Sequence, residues 1–62
     1  MRAKDLEEVF DGCAYLEYCG RLYETMGTKD SNGRFEFADV NDGSPLRLKW
    51  ETLLSDRCDV QY

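Results

Sequence analysis

The sequence predicts a single small α+β domain, residues 1–62: a short N-terminal helix followed by a curved antiparallel sheet of four to five strands. Three observations carry that expectation. Leu6, Val9 and Phe10 recur at helical spacing near the start. Further on, Leu46, Leu48 and Trp50 alternate with Arg47, Lys49 and Glu51, the period of a half-buried strand. Clusters of Gly, Asn and Asp separate the apolar runs and suit tight turns.

The helix is placed over residues 3–10. Asp5, Glu7 and Glu8 lie near its N-terminus, where negative charge interacts favourably with the helix dipole. Asp11-Gly12 supplies the stop, because Gly12 can take the left-handed conformation that closes a helix. Residues 13–27 admit two readings. A continued helix would keep Cys13, Leu16 and Cys19 on one stripe, but it would bury Gly12 mid-helix. Tyr15, Tyr18 and Tyr23 favour strands instead, so a hairpin is preferred: strands over 13–18 and 21–27 joined by a Cys19-Gly20 turn. Residues 27–33 read as a loop ending in Asn32-Gly33. Phe35 and Phe37 then share one face of a strand, and Asn41 to Pro45 form a second turn. Leu46 to Glu51 make the next strand, Thr52 to Ser55 one helical turn, and Cys58, Val60 and Tyr62 one face of a closing strand. That order is compatible with a small SH3-like barrel carrying an N-terminal helix, and equally with a curled open sheet packed on the helix.

Phe10, Phe35, Phe37, Leu46, Leu48, Trp50 and Val60 are the expected core. The apolar face restricts the central hairpin to alternate registers, since a slip of one residue turns one set outward. Placing Asn41 to Ser44 at the tip sets Phe37 opposite Leu48 and Phe35 opposite Trp50. It also sets Glu36 opposite Lys49 and Arg34 opposite Glu51, whereas the next register would oppose Arg34 and Lys49.

Thirteen carboxylates against eight Lys and Arg leave a net charge of −5, with no basic run. Nucleic-acid binding depends on neutralising phosphates, so direct contact with nucleic acid is disfavoured, as is attraction to an anionic membrane. No apolar stretch approaches the roughly 18 residues of a membrane span. Met1 to Asp5 run into a charged amphipathic segment without a signal-peptide core, which points to the cytoplasm. An acidic surface suits solubility first and a basic protein partner second. A chain of this length has little core, and a homodimer would bury more without lengthening it.

The residues argue against an enzyme. The chain has no His, which removes the usual base for a Ser or Cys nucleophile. Cys13, Cys19 and Cys58 are odd in number and lack C-x-x-C spacing. They read as reduced thiols packed in the core or sheet, without zinc or any other cofactor. Asp39-Val40-Asn41-Asp42-Gly43 superficially imitates a calcium loop. Counting from Asp39, however, Gly43 falls at position 5 and Glu51 at 13, each displaced by one from the EF-hand pattern. A hairpin turn accounts for both this segment and Asp30-Ser31-Asn32-Gly33. The most concentrated charge is the acidic helix face of Asp5, Glu7, Glu8 and Asp11. Its plain role is solvation. Its functional role would be to imitate spaced phosphates and occupy a basic, nucleic-acid-binding surface on a protein partner.

Leu53-Leu54-Ser55-Asp56-Arg57-Cys58-Asp59-Val60 is similar to the closing Leu-Leu-x-Asp-x-Trp-x-Val stretch of a family of small phage proteins. That family includes the second type of Thoeris anti-defence protein, which sequesters a cyclic nucleotide signal. Cys58 stands where the family has Trp, and the likeness covers eight of 62 residues. The resemblance implies a phage origin and a helix followed by a strongly curved sheet; no ligand site carries over. Three functions are therefore set against one another: a phage-type inhibitor of a host or defence protein, a module that binds a small signalling molecule, and a structural or assembly subunit. The first predicts a salt-sensitive complex with a basic protein, and the second predicts stabilisation by ligand. The third predicts assembly alone.

Overall fold

Leu6 and Val9 project from one side of the first helix and are buried, which ties that helix to a sheet built from the rest of the chain. In the computed structural model, which describes residues 1–62, the elements run α1 (Ala3–Phe10), β1 (Tyr15–Tyr18), β2 (Arg21–Lys29), β3 (Phe35–Asp39), β4 (Pro45–Leu48), α2 (Trp50–Leu53) and β5 (Cys58–Gln61). The five strands form one antiparallel sheet in the order β4-β3-β2-β1-β5. β4 and β5 end the sheet without pairing to each other, so it stays open rather than closing into a barrel.

α1 ends as its sequence dictates. Gly12 takes φ +79°, the Gly12 N–H donates to the Val9 carbonyl and the Cys13 N–H to the Glu8 carbonyl, which is a Schellman closure. The β1–β2 hairpin turns on Cys19 and Gly20, both at positive φ, the type I′ geometry that matches strand twist. β2 is longer than its sequence suggests. It passes through a bulge between Thr25 and Lys29, with Gly27 at φ +72°, and so reclaims part of the expected loop.

The central hairpin differs from the expected register. Phe35 lies opposite Leu48, Glu36 opposite Arg47, and Phe37 opposite Leu46, a shift of two residues. Turn chemistry decides it. Ser44 accepts from the Asp39 N–H and Asp39 from the Gly43 N–H, which closes a loop over Val40 to Gly43 with Gly43 at φ +76°. The Asp39 and Asp42 carboxylates accept from the Asn41 and Ser44 N–H groups at 2.7 and 2.8 Å, fixing that tip. Apolar parity survives the shift, and charge is satisfied differently. Arg47 Nε donates to Glu36 at 3.1 Å, while Arg34 turns back to Asp30 at 2.9 Å instead of facing Lys49.

With this register β4 stops at Leu48, and Trp50 opens α2 instead of extending the strand. Trp50 is consequently 44% exposed and does not belong to the core. The buried cluster is Leu6, Val9, Ala14, Leu16, Tyr23, Phe37, Leu48, Leu53 and Cys58, with Phe10, Phe35, Leu46 and Val60 packed at its margin. Cys13 and Cys19 are exposed, contrary to expectation, because one follows the helix stop and the other forms the hairpin tip; only Cys58 is buried.

Candidate functional surface

The acidic face of α1 divides in two. Glu7 and Asp11 are exposed, whereas Asp5 and Glu8 are half-buried and turn toward the residue after β5. Tyr62 donates its hydroxyl to Asp5 Oδ1 at 3.3 Å, and Arg2 Nε approaches Asp5 Oδ2 at 3.5 Å. Glu8 Oε2 is shielded from solvent and accepts no hydrogen bond. The Glu8 carboxylate beside the phenol, followed by desolvation and the Asp5 charge, pushes the Tyr62 pKa up to about 12. Three of the four carboxylates thus lie on one short helix and Asp11 caps its end, without forming one uniform patch.

Elsewhere the charges sort unevenly. Arg2, Arg21, Arg34 and Arg47 approach Asp5, Asp39, Asp30 and Glu36, so four of the thirteen carboxylates are in ion pairs and nine are not. On the outward face of the sheet, Glu17 lies directly opposite Asp59 with no cation between them; only the Gln61 amide, at 3.3 Å, donates to Glu17. Like charges in direct register are unfavourable, so this face adds to the acidic field without contributing to stability.

The segments that imitate calcium loops are occupied by their own backbone. Asp30 Oδ1 accepts from the Asn32 and Arg34 N–H groups, both at 2.9 Å, and those bonds, led by Arg34, hold its carboxyl below the usual range. Asp42 is lowered likewise by its hydrogen bonds to Ser44. No three His, Cys, Asp or Glu side chains converge in a way that could hold a metal ion. Burial pushes the Cys58 thiol pKa up, and its Sγ donates to the Thr52 carbonyl at 3.3 Å.

Two shallow cavities break the surface. One, of about 260 Å³, is lined by Phe10, Gly27, Thr28, Lys29 and Phe35. The other, of about 290 Å³, is lined by Glu51, Thr52, Ser55 and Arg57 and has no apolar wall. The sequence pattern assigns Phe10 and Phe35 to the core and so does not single out the first cavity; both rings lie partly buried at the core margin. The cavity's sequence signal is Gly27 within a strand-like run, which marks a bulge. Aromatic contacts run from it: Phe10 and Phe35 centroids lie 4.8 Å apart, and Phe35 and Trp50 5.7 Å apart.

No family model, curated protein or solved structure matches this chain. No helix is long and apolar enough to cross a membrane.

Proposed function

We propose that this chain is a non-enzymatic binding protein of the phage-inhibitor type, acting in the host cytoplasm on a basic surface of a host or defence protein. The observation that carries the reading is the asymmetry of charge: most arginines are held by carboxylates of the same chain, while nine carboxylates have no cationic partner. A surface of that kind favours encounter with cationic proteins and repels nucleic acid. Glu7 on α1 and Asp11 at its C-cap, both exposed and one turn apart, lead the contact, and Asp5 and Glu8 extend the negative field behind them.

Partner capture from a bacterial lysate, followed by affinity measurement across a salt series, tests this. The expected partner is basic, and its affinity falls with salt. The Glu7→Gln/Asp11→Asn double variant should bind about fivefold more weakly, the scale expected of two exposed charge contacts. A complex indifferent to both salt and the double variant would eliminate the acidic-face mechanism.

A further inference from the structure

We infer that the groove between the end of α1 and the β2 bulge is a binding site for a small aromatic monocarboxylate. This goes beyond the proposed protein contact and uses different residues. The groove joins one cation to one wall of two packed aromatic rings. Lys29 Nζ sits 4.8 Å from the Phe35 ring centroid, and Lys29 takes part in no ion pair, although carboxylates outnumber cations on this chain. No carboxylate lines the groove. Thr28 is the other polar side chain there, and its hydroxyl is already committed to Glu36 at 2.8 Å. The ammonium of Lys29 is therefore the group left to meet a ligand's charge.

Size and charge narrow the ligand. About 260 Å³ admits one planar ring system and its substituent, not a folded peptide segment. Phe10 and Phe35 pack on each other at 4.8 Å with ring planes inclined at 45°, and together they form one apolar wall of the groove for such a ring to lie against. A single lysine matches a single negative charge. A phosphate dianion would remain under-neutralised on a chain of net charge −5. The bulge forms the open wall: Gly27 at φ +72° brings only backbone to the rim, and its N–H is held by Thr25 Oγ1 at 3.0 Å.

Trp50, the only tryptophan, lies against Phe35 and reports on the site by fluorescence. The test titrates the protein with benzoate, with its neutral isostere benzamide, with acetate, and with adenosine monophosphate, following Trp50 emission and backbone amide shifts. Benzoate should shift the Gly27, Thr28, Lys29 and Phe35 amides. It should bind about fivefold more tightly than benzamide, and Lys29→Gln should remove that preference. Lys29 is exposed, so this variant is expected to keep the fold, and its amide spectrum verifies that directly. Shifts no larger than those from acetate, or a charge preference surviving Lys29→Gln, would overturn the site. Tighter binding of the nucleotide than of benzoate would overturn the monocarboxylate assignment. Because the partner assay reads Glu7 and Asp11 and this one reads Lys29, the two can fail separately.

Discussion

Phe37 and Trp50 show how far burial at single positions departs from residue size. Phe37 is fully buried and packs 5.9 Å from Phe10, whereas the larger Trp50 ring stands at the domain margin. Phe37→Ala should therefore cost about 3–5 kcal/mol, approaching the whole stability of a domain this small. Trp50→Ala should cost about half as much, in proportion to the area it buries. Denaturant midpoints would check the pair, and equal losses would return Trp50 to the core. The thiols separate in the same way. Cys13 and Cys19 should alkylate rapidly in the native protein, and Cys58 only on unfolding, because it is buried and its pKa is raised. Mass spectrometry after timed iodoacetamide treatment reads this as two fast additions; three fast additions would show the Cys58 environment to be open. Asp30 gives a pH dependence. Its folded pKa lies below its unfolded one, so its contribution is complete above about pH 4 and is lost as pH falls through the folded value. Asp30→Asn should flatten the acid limb of a melting-temperature profile, and an unchanged limb would assign the acid sensitivity elsewhere.

At the scale of elements, local chemistry and register behave differently. α1 and the first hairpin are set by short signals that act within a few residues: Gly12 at the helix stop, and Cys19-Gly20 at the turn. Gly12→Ala should cost about 1–2 kcal/mol by forcing an L residue to positive φ, since a Cβ there would meet no other atom. A loss in thermal unfolding no greater than at an exposed helix position would mean that the Schellman closure is dispensable. The β3–β4 register was not legible from cross-strand charge. Each charged pair contributes only about 0.2–1 kcal/mol. Against them stood Gly43 in the left-handed region and two aspartates bound to turn N–H groups, and the turn prevailed. Arg34 then avoided Lys49 by folding back to Asp30, an alternative that pair counting along extended strands does not contain.

For the whole molecule, ten of 62 residues are buried, which leaves little apolar area to stabilise an isolated domain. The open sheet also leaves β4 and β5 as free edges, the first protected in part by Pro45, which has no N–H to offer. These two facts support the proposal that the chain forms a homodimer. Light scattering over a concentration series should then give twice the 7.2 kDa chain mass, and a monomer throughout would refute it.

The sequence by itself determined the helix over residues 3–10, the hairpin through Cys19-Gly20, the antiparallel α+β class, and the parity that puts Phe35, Phe37, Leu46 and Leu48 on one face. These follow from periodicity and from glycine's backbone freedom, both properties of neighbouring residues. Tertiary structure decided which apolar residues are covered, how far β2 continues past its bulge, and where β4 gives way to α2. Those outcomes depend on how one loop positions two strands and how the sheet meets α1. Trp50 was released to the surface, and Lys29 and Phe35 were brought beside Phe10 from separate elements. The acidic character was legible residue by residue, but its division was not. Whether a carboxylate faces an arginine, a tyrosine or water is fixed only when distant segments meet, as Asp5 and Tyr62 do across 57 positions of the chain.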